Sequence, residues 1–199
     1  MYGPHDRDAA TRLLLVVGTV RKGGRLSQVA DELLSACALN INVRAARVDV
    51  YEADLPLAGG LESSEVVDLT RRVAGAEAVI FCSPVFRASL PGSLKNLIDW
   101  LPVEALRGKP VGLVTVGATT HHYLAVDSHF RDIMAWFGAL SLPGNVYVTL
   151  DQVSTGSVSE VSATAIRDLV GSCVEAASLL RGRPPLGTAP LAAIKSKSR

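Results

Sequence analysis

Three short segments concentrate residue types that hold charged or planar ligands. The first runs from Gly18 to Ser27 and combines three glycines, two hydroxyls and three cations directly after an apolar run. At a helix N-terminus, free backbone N–H groups and the helix dipole favour a phosphate. Thr19 and Ser27 can donate to its oxygens, and Arg21 or Arg25 can neutralise it. Neither familiar nucleotide motif is present. Gly18 and Gly23 have P-loop spacing, but Gly24 and Arg25 stand where a lysine and a hydroxyl residue are required. Read alone, the segment is equally a glycine turn with solvated charges. The second segment, from Ser83 to Trp100, joins an apolar strand to a helix through Pro84 and Pro91 and carries Phe86 and Arg87 between them. The third begins at Gly117 and runs through Ala118, Thr119, His121 and His122 to Asp127.

Other chemistries find less support. No glycine-serine-glycine elbow surrounds a serine, so a hydrolase has no nucleophile. Cys37, Cys82 and Cys173 are widely spaced, without a paired-thiol or metal-finger pattern. His121 and His122 would point about 100° apart on a helix, and no cysteine or carboxylate cluster gives them metal-ligand spacing. No metal is expected. Cys82, Trp100, Trp136 and Phe137 read first as core, the aromatics alternatively as an oligomer contact, and Asp127 and His129 read as surface.

The elements that must position these segments alternate regularly. Leu13–Gly18, 43–51, 78–82, 111–116 and 146–150 read as strands; the first is wholly apolar, as expected for a strand buried on both faces of a parallel sheet, and 78–82 reads as a strong buried strand. Helical spacing covers Val29 to Cys37, Ser64 to Val73, Pro91 to Leu101, His122 to Phe137 and Val161 to Leu180. Five such βα units predict an α/β fold: a doubly wound, five-stranded parallel sheet in a three-layer α/β/α sandwich. Ligands then bind beyond the carboxyl ends of the strands, where all three segments fall.

Composition agrees. The chain has 199 residues, 48% hydrophobic and 20% charged, with a net charge of +1, and its mean hydropathy is +0.28. That suits one globular domain and leaves no basic surplus for nucleic acid. Arg181, Arg183, Lys195, Lys197 and Arg199 occupy an acid-free end, so residues 1–180 hold fifteen cations against nineteen acids. The expectation is a single domain over 1–182 and an irregular basic arm over 183–199. The cysteine usage suits a reducing compartment, and neither a leader nor a membrane span is legible, so a cytoplasmic protein is expected.

The three segments together resemble the NADPH-dependent FMN reductases of flavodoxin-like fold, in particular the flavin reductases of sulfonate utilisation, over roughly Leu13 to Val153. The resemblance implies that Thr19, Arg21, Arg25 and Ser27 hold the FMN phosphate. It implies that Pro84, Val85, Phe86 and Arg87 line the isoalloxazine edge, and that Gly117, Ala118 and Thr119 approach its pyrimidine side. Three positions depart from the family pattern: Thr19 replaces serine, Phe86 replaces tyrosine and so lacks the phenol donor, and Ala118 replaces a second glycine. The implied activity is hydride transfer from NADPH or NADH to FMN, which needs no protein acid or base. Arg21, Arg25 and Arg87 are candidates for the 2′-phosphate of NADPH. A flavin-dependent monooxygenase is the implied partner and a homodimer or homotetramer the implied assembly. The alternatives are an FMN-retaining quinone, azo or nitro reductase, and a non-enzymatic flavodoxin-like electron carrier, which the arginine-bearing loop and the near-neutral charge disfavour.

Overall fold

The computed structural model describes residues 9–19 and 21–189. Four parallel strands, β1 (Thr11–Val17), β2 (Val43–Asp49), β3 (Ala78–Pro84) and β4 (Pro110–Gly117), form most of one sheet. Two shorter strands, β5 (Leu140–Ser141) and β6 (Val146–Thr149), both pair with β4. The fifth position is therefore split: Pro143 lacks an N–H and Gly144 has φ +72, so no ladder runs through them. Across the sheet the order is β2-β1-β3-β4, with β5 and β6 following in line. This is the flavodoxin-like order, with its reversal between β1 and β3.

Residues of β1 alternate between two cores. Leu13, Leu15 and Val17 face one side, beneath α1 (Arg25–Ala38) and α5 (Glu160–Leu180). Leu14 and Val16 face the other, beneath α2 (Ser64–Gly75), α3 (Gly92–Asp99) and α4 (Tyr123–Phe137). Burial on both faces is why these strands read as continuous apolar runs. Cys82 and Phe137 are core residues, whereas Trp136 is 60% exposed and Trp100 is half-buried, donating its indole N–H to the Pro56 carbonyl at 2.8 Å.

Several boundaries differ from expectation. Pro91 precedes α3 as its cap rather than opening it. A 3-10 turn over Thr120–His122 precedes α4, and His122 caps that helix by position without a side-chain bond. A two-stranded hairpin, β7 (Val153–Ser154) with β8 (Ser157–Val158), lies between β6 and α5. Residues 183–189 are irregular, and Pro185 lies so close to Gly108 that a Cβ there would fall 2.8 Å from it; the rest of the expected arm, 190–199, lies outside the described residues. No helix among the described residues is long and apolar enough to cross a membrane.

Candidate flavin site

Two backbone bonds tie the strand exits together. Gly18 N–H donates to the Cys82 carbonyl at 2.8 Å, and Val85 N–H to the Val116 carbonyl at 2.9 Å. The loops after β1, β3 and β4 consequently leave one edge of the sheet side by side. This brings all eleven expected site residues to that edge.

The β1 loop leads into α1 through Gly23 and Gly24, whose φ values of +77 and +89 strain any side-chain-bearing residue. Unlike α2 and α5, capped by Ser63 and Ser159, α1 begins without a side-chain cap and without an acid in its first turn. Its positive end is therefore uncompensated. Thr19 Oγ1 accepts the Arg21 N–H at 3.1 Å and so shapes the turn. Arg21 and Arg25 are exposed and Ser27 is half-buried. Arg25 Nε donates to the Val153 carbonyl at 3.3 Å, linking the helix start to β7. Between them lies a cavity of about 530 Å³, lined among others by Gly24, Arg25, Gln28, Asp151, Ser154 and Thr155. Gln28 Oε1 is buried without a partner. Ser154 and Thr155 give no sign of this neighbourhood in the sequence, because only the fold brings β7 and the turn after it beside α1.

After β3, Phe86 and Ser89 exchange both backbone hydrogen bonds, at 2.9 and 3.0 Å. The two residues between them, Arg87 and Ala88, have φ +52 and +61. This is a tight turn of the kind that favours glycine and asparagine. It holds Phe86 with 56% of its surface exposed, and Arg87 is exposed beside it, while Pro84 and Val85 are half-buried. After β4, Gly117 is buried, and Ala118 and Thr119 are exposed. Asp127 departs from its surface reading: its carboxylate is 17% exposed and takes Arg131 Nε at 2.7 Å.

A phosphate would meet a cationic, uncapped helix start; a planar ring would meet an exposed aromatic on one loop and exposed backbone on another. The donor set fits a flavin mononucleotide.

The chain is similar to known proteins over most of its length. The family model for NADPH-dependent FMN reductase matches residues 11–152. The NADH-dependent FMN reductase SfnF of Pseudomonas putida is 32% identical over 147 residues, 70% of this chain and 78% of that protein. The quinone reductase of Escherichia coli strain K12 is 29% identical over 136 residues, 65% of this chain and 72% of that protein. Among solved structures, the apo form of the NADH:FMN oxidoreductase EMOB superposes with a TM-score of 0.73 at 20% identity, covering 88% of this chain and 92% of that one. With three-fifths or more of both chains shared and the family model spanning the sheet and all three loops, the chain belongs to the NADPH-dependent FMN reductase family, oxidoreductases that work with FMN and a nicotinamide nucleotide.

Proposed function

We propose that the protein transfers hydride from NADPH or NADH to FMN and supplies the reduced flavin to a partner monooxygenase. The observation that carries this reading is the convergence of the uncapped α1 N-terminus, the Phe86 hairpin and the Gly117–Thr119 backbone on one sheet edge. Arg21 and Arg25 would neutralise the phosphate, with Thr19 and Ser27 donating to its oxygens. Pro84, Val85, Phe86 and Arg87 would hold one edge of the ring, and Gly117, Ala118 and Thr119 the pyrimidine side. Bound FMN supplies a two-electron acceptor for hydride from the nicotinamide. The protein's part is position and electrostatics: aligning two rings removes much of the entropic barrier, and fixed N–H dipoles favour charge on the ring that receives it. Arg21, Arg25 or Arg87 would take the NADPH 2′-phosphate.

Supply of the reduced flavin to a partner follows from the resemblance of the three segments to the flavin reductases of sulfonate utilisation. The same proposal includes a cytoplasmic, single-domain chain to residue 182, supported by free, buried cysteines and by Arg181 Nε closing on Glu77 at 2.8 Å. It includes a homo-oligomer, supported by Leu124 and Trp136 of α4, 70% and 60% exposed.

The test is a visible spectrum of purified protein, then nicotinamide oxidation with and without added FMN. The expected result is little retained colour and turnover only with added FMN. Tightly retained FMN with turnover of a quinone would replace shuttle by quinone reductase, and absence of flavin binding would overturn both.

A further inference from the structure

The exit loop of β4 is open to solvent. Residues 118–124 are exposed, and neither the 3-10 turn nor α4 starts with a side-chain cap. Its anchor comes from the neighbouring strand. Tyr147 sits opposite Thr115 in the β4–β6 register, and its side chain lies against the backbone of Gly117. A Cβ placed on Gly117 would fall 1.9 Å from the phenol oxygen and 2.6 Å from Cζ, so glycine is required for the tyrosine to lie there. From that position the hydroxyl donates to the Thr119 carbonyl at 2.6 Å. The Tyr147 ring also meets Tyr123, the first residue of α4, edge-on at 5.8 Å and 84°. Thr119 Oγ1 in turn lies 3.0 Å from His121 Nδ1.

We infer that Tyr147 is a positioning residue for the flavin site, acting through the Thr119 carbonyl to fix the Gly117–Thr119 backbone in the orientation that meets the flavin ring. The inference rests on the flavin reading of this edge. A peptide unit is planar, so holding the Thr119 C=O on one side also aims the Thr120 N–H to the other. One side-chain bond thereby sets a whole peptide dipole. An ordinary phenol is already a donor at neutral pH, and burial raises the Tyr147 phenol further.

The experiment is Tyr147→Phe, read by FMN titration, by the visible and circular-dichroism spectra of the bound flavin, and by steady-state kinetics. Losing one hydrogen bond of ordinary strength should weaken FMN binding about threefold to tenfold. The bound-flavin spectrum should shift toward that of free flavin, with KM for FMN raised more than kcat is lowered. Arg21→Ala, acting at the phosphate, should weaken binding without moving the spectrum. Wild-type affinity and an unshifted spectrum in Tyr147→Phe would overturn the inference while leaving the flavin reading intact. A wild-type protein that binds no FMN would overturn the reading itself.

Discussion

Arg21 and Arg25 share a loop but differ in what already holds them. Arg25 spends its Nε on Val153 and so braces the start of α1 against β7. Arg21 contributes its backbone N–H to the Thr19 hydroxyl, and among the described residues its exposed guanidinium makes no hydrogen bond or ion pair. An exposed, uncommitted arginine contributes little to stability, but one that meets a phosphate makes charge-assisted bonds. Arg21→Ala should therefore weaken FMN binding by about 1.5–3 kcal/mol and leave thermal unfolding nearly unchanged. A flavin titration alongside a melting curve separates the two effects; unchanged affinity would remove Arg21 from the site. At this scale the sequence identified the loop's cations and hydroxyls but not their division of labour. The bond that engages Thr19 is local and was within reach of turn chemistry, whereas the one that engages Arg25 spans 128 positions.

The hairpin between β3 and α3 is the element whose geometry runs most against its residues. Arg87 and Ala88 both adopt left-handed backbone conformations, which cost L-residues roughly 1–2 kcal/mol each. Two reciprocal backbone bonds between Phe86 and Ser89 hold the turn closed, and its effect is to carry Phe86 out of the core into solvent. Such strain concentrates where a site needs a rigid presentation. Ala88→Gly should relieve it, stabilising the protein by about 1 kcal/mol, roughly 2–4 °C in Tm for a chain of this size. A lowered Tm would mean that the Ala88 side chain contributes packing that outweighs the strain. The long elements were legible because α1, α2, α3, α4 and α5 each carry a repeating apolar stripe and β1, β3 and β4 are built around apolar runs. The short ones were not. Leu140–Ser141 and the β7–β8 hairpin are two-residue strands, too short for any periodicity, and are fixed by pairing with distant or folded-back partners. Tyr147 escaped for a related reason: on β6 it reads as an ordinary half-buried strand tyrosine, and only the packing of its side chain against Gly117 shows what its hydroxyl reaches.

Over the whole molecule, the thiols and one amine decide how the fold responds to alkali. Cys82 on β3 and Cys173 on α5 are fully buried, and burial pushes both from 9.0 up to about 12. Burial likewise raises Cys37 on α1 to about 11. In each case the unfolded chain loses its thiol proton near pH 9 while the folded chain keeps it, so stability present below pH 9 is lost as pH rises beyond it. For Cys82 and Cys173 the slope is about 1.4 kcal/mol per pH unit each. Lys109 runs the other way. Its ammonium donates to the Val73 and Ala74 carbonyls at 2.8 Å, yet burial lowers it from 10.5 to about 8, so the folded state sheds that proton first and stability gains between those values. One amine acts alone between about pH 8 and pH 9, three thiols oppose it above, and the raised Tyr51 and Tyr147 phenols add to the fall beyond their ordinary value of 10.0. Stability measured by urea unfolding under reducing conditions should therefore pass through a shallow maximum near the ordinary thiol pKa of 9.0 and then fall. Replacing Cys82 and Cys173 with alanine should flatten that fall. A stability that continues to climb past the thiol range, or a fall that survives the double replacement, would show that other groups govern the alkaline limb.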